Sequence, residues 1–256
     1  MSNNEKIKRP SGTRWCGTGV VFSGTGAVLI FVALIGARID LLSPMASFMV
    51  FGIGLLALLV GIVATVIGLI MSKGTGGATS AVRTWSALTV AILIIAVGMS
   101  QRPETSGGSP IHDITTDVGN PPSFDAIVPI REAAGARNPP EYAGPEVAKI
   151  QKSLFPDILT LTVNKPADEV FVAAEKVARN LGWEIVRSDP RTGQIEATAT
   201  TYWFRFKDDV AIRLIARGEE TYVDIRSKSR IGGGDMGANA ARVQAFLRSL
   251  KTATDD

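Results

Sequence analysis

Two kinds of hydrophobic pattern divide this chain. Through residue 99 the apolar positions run in long blocks; beyond residue 156 they recur with the periods of helix and strand. Three blocks, residues 20–37, 48–71 and 87–99 with a flank back to Thr84, approach the ~20 apolar residues that a helix needs to cross a hydrocarbon core. The third is short, and Trp85 and Arg102 flank it as interfacial anchors. A cleaved signal peptide is a poor reading of the first block, because no small-x-small site follows it and two more blocks come after. In the second block Gly54, Ala57, Gly61, Ala64 and Gly68 alternate spacings of three and four. That places them on one helix face, where a neighbouring helix can approach closely. Packing against spans one and three is the simpler use of such a face, and helix-mediated self-association the sharper one.

The second half changes character. Residues 101–110 are polar, with Gly, Ser and Pro, and read as a flexible spacer. Residues 111–138, with scattered Pro and little periodicity, predict an extended segment packed on the domain that follows. Pro145 opens a short helix through Leu154, ended by Pro156. Residues 158–163 alternate as a strand. From Pro166 a helix buries Val170, Phe171, Ala174, Val177, Ala178 and Leu181 at helical spacing, with Gly182 as its stop. Strand 183–187, a turn at 189–193 and a long strand 194–206 follow, the last with Ile195, Ala197 and Ala199 on one face. The run Tyr202-Trp203-Phe204 marks a bulge or a switch of face. Strand 210–217 turns Val210, Ile212, Leu214 and Ala216 inward, a tight turn at 218–220 leads to strand 221–228, and a final helix from about Asp235 buries Ala240, Val243, Phe246, Leu247 and Leu250. The order β-α-β-β-β-β-α predicts an α+β fold with an antiparallel sheet and helices on one face. It is similar to helix-grip domains. The predicted plan is a tail (1–19), three spans (20–99), a linker (100–110) and a soluble domain (111–256).

Charge refines this plan. Residues 1–99 carry seven Lys and Arg against Glu5 and Asp40, a net of +5; residues 100–256 carry 20 against 22 acids, a net of −2. The basic balance therefore belongs to the apolar half, and a nucleic-acid partner is excluded as an expectation, since that needs basic charge clustered on the folded domain. Lys6, Lys8, Arg9 and Arg14 precede the first span, and Lys73 and Arg83 lie between the second and third. The excess of positive charge on these segments places the N-terminus in the cytoplasm and the C-terminal domain outside. No Asp, Glu, Lys, Arg or His lies inside a span, which argues against a proton relay or ion path. Cys16, the single cysteine, has no disulfide partner within the chain and no lipobox around it, and reads as an inert thiol near the membrane.

Two stretches are dense in charged and hydroxyl groups. One holds His112, Asp113, Thr115, Thr116 and Asp117; the other holds Asp224, Arg226, Ser227, Ser229, Arg230, Asp235, Asn239 and Arg242. With Gly182-Trp183-Glu184-Ile185, Glu196-Ala-Thr-Ala-Thr200 and Trp203-Phe-Arg-Phe-Lys-Asp208-Asp209, they resemble the bacterial family called domain of unknown function 1499, over residues 111–250. The resemblance implies no known activity; many members carry N-terminal spans.

Four uses of these residues compete. Gly232–Gly234 leads into a helix start, so an anion could bind there with Arg226 and Arg230 as charged forks, unless Asp235 caps the helix itself. His112, Asp113 and Asp117 with Asp208 or Asp209 offer metal ligands without tight spacing. A nucleophilic site would need His112 with Ser227 or Ser229, which sit in a strand-like run rather than at an exposed elbow. The favoured use is a structural clamp: Asp224, Arg226 and Lys228 share one strand face, and Arg226, Arg230 and Arg242 tie the 111–120 segment down through Asp113 and Asp117. The expectation is a non-enzymatic membrane protein, without cofactor, whose outward domain meets an envelope protein, lipid or cell-wall component. The alternative is a hydrolase or metal-dependent enzyme at the membrane surface.

Overall fold

A computed structural model describes residues 11–72 and 110–255. The third predicted span, its flanking Trp85 and Arg102, and nearly all of the linker lie outside the described residues. The chain divides into two compact units.

The first unit is a pair of helices, α1 (Ser11–Arg38) and α2 (Pro44–Ser72). Both are long and apolar enough to cross a membrane, over Gly12–Arg38 and Pro44–Met71, with mean hydropathies of 2.3 and 2.8. Helix α1 begins at Ser11, well ahead of the apolar run at residue 20, because its first turns have a partner: a side chain on Gly68 would meet the Cys16 amide at 2.6 Å and the Gly12 carbonyl at 2.9 Å. Farther along, a Cβ on Gly26 would lie 2.6 Å from the Gly54 carbonyl, and one on Gly61 2.9 Å from that of Gly19. Pairing that descends one helix as it climbs the other makes the pair antiparallel. Glycine is therefore required at these crossings, since only a missing side chain lets two backbones come so close. The buried face runs through Gly54, Leu58, Gly61, Ala64, Thr65 and Gly68, while Ala57 is half-buried beside it. Phe31, Ile53, Leu56 and Ile70 face outward, each more than half exposed.

The second unit is α+β with a six-stranded antiparallel sheet. Its elements in chain order are β1 (Asp113–Thr115), α3 (Val128–Ala133), α4 (Pro145–Leu154), β2 (Leu161–Val163), α5 (Ala167–Asn180), β3 (Glu184–Asp189), β4 (Gln194–Thr200), β5 (Lys207–Arg217), β6 (Glu220–Ser229) and α6 (Ala238–Asp255). The sheet order is β1-β6-β5-β4-β3, and β2 shares the outer edge of β6 with β1. The two short strands lie end to end there, β1 against Arg226–Lys228 and β2 against Thr221–Val223.

Helices α5 and α6 cover one sheet face, where Val170, Phe171, Ala174 and Val177 meet Ile195, Ile212, Ile225, Val243 and Phe246 in the core. Trp183 stacks on Phe246, ring centroids 5.6 Å apart. The opposite sheet face is polar and is covered by residues 116–142, with a small apolar cluster of Phe124, Ile127 and Ala211.

Several expectations need correction. The segment 111–138 is not wholly extended, since it holds β1 and α3. Strand β2 starts at Leu161 rather than at residue 158, where the Ile158 amide instead donates to the Phe155 carbonyl in a turn after Pro156. Strand β4 ends at Thr200, because Thr200 pairs with Lys207 and residues 202–205 must turn the chain, with Arg205 at φ 61°. Ala216 is exposed beside the β5–β6 turn. Helix α6 starts at Ala238, and Asp235 precedes it as a cap.

Candidate functional site

The sheet separates the polar motifs into two networks, one on each face. Alternation along a strand sends successive side chains to opposite sides. Asp224, Arg226 and Lys228 of β6 thus join Asp209 and Arg213 of β5 and Glu196 and Thr198 of β4 on the face away from α5 and α6. Ser227 and Ser229 point the other way, to α6.

On the first face Asp113 is the anchor. Its β1 position pairs with Lys228, so its carboxylate lies over that strand. Arg226 donates to it through Nε and Nη2, both at 2.8 Å, and Lys228 through Nζ at 2.9 Å. Further donors of these cations go to main-chain oxygens of the covering segment: Arg226 to Pro122 and Pro140, Lys228 to Glu141. The Arg226 guanidinium also sits over the Phe124 ring, 4.7 Å from its centroid. Asp209 takes Arg230 at 2.7 Å and Arg131 of α3. Arg213 bridges Asp117 at 3.0 Å and Asp224 at 2.8 Å, and Thr116 and Thr160 donate to Asp224. Glu196 accepts the amides of Asp125, Ala126 and Ile127, in the turn that leads into α3. Gln151 of α4 exchanges two hydrogen bonds with the Thr115 backbone and so continues the ladder past β1. Burial holds the Lys228 ammonium and the Arg131 guanidinium below their ordinary pKa values, opposed in each case by the paired aspartate.

The second network closes the start of α6. Arg242 donates to Asp208 at 2.7 Å and to both Ser227 and Asn239, and the Ser227 hydroxyl donates to Asn239 Oδ1 at 2.6 Å. Asn239 Nδ2 reaches Ser229 and the His112 carbonyl. Asp235 accepts the Gly237 and Asn239 amides at 2.9 and 2.8 Å, and its burial pushes its carboxyl pKa up.

This geometry separates the four competing uses. The helix-start amides are taken by Asp235, and Arg226 and Arg230 are bound to Asp113 and Asp209 on the other sheet face, so the anion arrangement does not form. Among the described residues no group of three or more His, Cys, Asp or Glu side chains is gathered to hold a metal ion. Ser227 is engaged with Asn239 and Arg242, while the Nδ1 of His112 is buried without a hydrogen bond. The clamp partners also differ from expectation. Arg226 holds Asp113, but Asp117 is held by Arg213, and Arg230 and Arg242 pair with Asp209 and Asp208.

The sequence does not mark Arg131, Arg213 and Gln151, and it marks Glu196 and Thr198 only within a family motif. Their signal was available for the strand residues: a polar side chain at alternate positions of three consecutive strands marks a second covered face. Two concave surfaces adjoin the first network, and Glu196 and Arg213 line one of them. A cavity of about 150 Å³ opens between residues 120–123 and the β4–β5 face, and an open groove of about 680 Å³ runs past Val118, Tyr142, Lys149 and Lys152.

Comparison with known proteins adds the family. No curated protein matches the chain. Among solved structures, the crystal structure of TTHA0849 from Thermus thermophilus aligns at 9% identity, over 37% of this chain and 93% of that one, with a TM-score of 0.26. Residues 2–109 match a family described as negative regulator of sigma F. Residues 113–250, which carry the whole sheet and both polar networks, match the family described as protein of unknown function (DUF1499), and the chain belongs to that family.

Proposed function

We propose that this protein is a membrane-anchored, non-enzymatic binding or assembly protein of the bacterial envelope, with its N-terminus in the cytoplasm and its α+β domain outside. One observation carries the reading: the dense polar motifs are spent on one another. Asp113, Asp208, Asp209 and Asp224 are each paired with an Arg or Lys and nearly fully buried, and the neighbouring hydroxyls are hydrogen-bonded within the same networks. Polar groups satisfied in this way fix one arrangement of a fold. They do not supply a free nucleophile or base beside a substrate cleft.

The test uses cells that depend on the chain. Variants of Asp113, Asp209, Ser227 and His112 are scored for complementation and, after purification, for melting temperature. Complementation should fall only as melting temperature falls. A His112→Gln or Ser227→Ala chain that melts normally and fails to complement would transfer support to the hydrolase alternative. Orientation is read from a C-terminal reporter active only outside the cytoplasm, and a silent reporter beside an active cytoplasmic one overturns it.

The match of residues 2–109 to negative regulators of sigma F favours a second reading, in which the membrane half restrains a sigma factor. Expression of residues 1–109 alone would then lower transcription from the promoters of that factor. Unchanged transcription removes this reading and leaves the first intact.

A further inference from the structure

The first network holds more than the sheet face: it also fixes the walls of the open groove of about 680 Å³ past Val118, Pro121, Tyr142, Ala148, Lys149 and Lys152. We propose that this groove docks an extended acidic peptide segment of a partner protein, its carboxylates on Lys149 and Lys152 and an apolar side chain against Pro121 and Tyr142. The proposal rests on the binding or assembly reading and names the partner by its chemistry.

Each wall is fixed from beneath. Tyr142 follows Pro140 and Glu141, whose carbonyls accept Arg226 and Lys228, and the Arg226 guanidinium lies 5.5 Å from the centroid of its ring. The Tyr142 hydroxyl is buried, so the half-buried ring meets the groove with carbon. Val118 and Pro121 flank a turn in which Asp117, itself held by Arg213, accepts the Gly119 and Asn120 amides. Helix α4 is tied by Gln151 to both backbone groups of Thr115, while its Lys149 and Lys152 stay exposed. Between Tyr142 and α4, Gly144 takes φ 86° and ψ −157°, a conformation confined to glycine, and a Cβ built there would meet nothing. The groove is therefore present before anything binds, and an occupant need not order its walls.

Charge and shape choose the occupant. Among the described residues, Lys149 and Lys152 are the only charged side chains lining the groove, and neither has an ion pair. Inside the fold, by contrast, Arg131, Arg226, Lys228 and Arg230 each have one. Glu141 and Glu146 are exposed close by in the chain and do not line the groove. The two lysines stand three residues apart on α4, ~5–6 Å between Cβ atoms. Alternate side chains of an extended chain are ~6.5 Å apart, close to that spacing. A peptide in this conformation turns every second side chain toward the lysines and the one between them to the other wall. Because the groove is open, one side of its occupant stays in water. That suits a peptide backbone, whereas the acyl chain of a lipid would leave apolar surface exposed.

Peptide display against the full chain tests this. A random peptide library is selected on the chain in nanodiscs, with empty nanodiscs removing lipid binders, and enriched peptides are remeasured by fluorescence polarisation. The expected peptides carry two acidic residues at alternate positions with an apolar residue between them. Lys149→Glu combined with Lys152→Glu should weaken them roughly tenfold or more at unchanged melting temperature, because like charges then meet. Peptides with lysine in place of the two acids should regain binding to that variant. Lys149→Gln combined with Lys152→Gln, which keeps the length of the side chains, gives a second reading should the charge-reversed chain fold poorly. No enrichment over empty nanodiscs, enriched peptides without acidic residues, or affinity unchanged by the charge reversal overturns the proposal. So does a lipid anion found by mass spectrometry on the unaltered chain and missing from the charge-reversed one, which assigns the groove to lipid. The binding or assembly reading stands or falls separately, on complementation by the Ser227→Ala and His112→Gln chains.

Discussion

Asp113 gathers two buried cations at once, since Arg226 and Lys228 both converge on its two oxygens. Replacing it with alanine leaves two cations in a desolvated site without a counter-charge, which costs about 3–5 kcal/mol for a broken buried pair. Denaturant unfolding of the full-length Asp113→Ala chain in detergent measures that loss; a change below ~1 kcal/mol, the scale of exposed pairs, means water reaches the cluster. Tyr142 offers a pH test. Burial and the nearby Asp113 carboxylate push its phenol up to about 12, and its hydroxyl is buried without a hydrogen bond. The folded state therefore binds more protons than the unfolded chain between pH ~10 and 12, so this residue's contribution is present below pH ~10 and is lost as pH rises to 12. Tyr142→Phe should flatten the alkaline fall in stability and leave neutral stability unchanged or slightly higher. An unchanged alkaline profile would show that the phenol is solvated.

At the scale of elements, the covering segment 111–142 is held by several strands at once. Helix α3 illustrates how. It is six residues long, has no side-chain cap, and follows a turn whose three amides Glu196 of β4 accepts. Glu196→Gln removes the negative charge from that helix start, worth about 0.3–1 kcal/mol and more where burial is good. Hydrogen exchange of amides 125–131 should accelerate while β5 and β6 keep their protection; unchanged exchange would mean that α3 is held by Arg131 alone. This element also shows why part of the domain was legible in the sequence and part was not. Helix α5 and the core faces of β4, β5 and β6 follow apolar periodicities that depend on local spacing. Helix α3 has too few residues for a period, and the turn before it is held by a strand roughly 70 positions later, which no local pattern reveals. The same holds for the clamp. The sequence located Asp113, Asp117, Arg226, Arg230 and Arg242, but pairing across a sheet depends on register, so Arg213 rather than an expected arginine took Asp117.

The whole molecule joins a pair of helices long and apolar enough to cross a membrane to an α+β domain. The helix pair was legible because long apolar blocks and spaced glycines are local signals, although α1 reached back to Ser11 through small residues that hydropathy alone does not mark. The domain's central property is that its polar motifs form a closed latch between the covering segment and the sheet. Amide hydrogen exchange on the full chain tests it most directly. Thr115, Thr116, Ile127 and Arg131 donate their amides to Gln151, Ile225, Glu196 and Ile127 in turn. A closed latch requires these amides to exchange as slowly as those of central β5 and β6, through global unfolding only. Fast exchange at these positions, with β5 and β6 still protected, would mean that the segment lifts and exposes Arg226, Lys228 and Asp209 as a usable site, contradicting the latch.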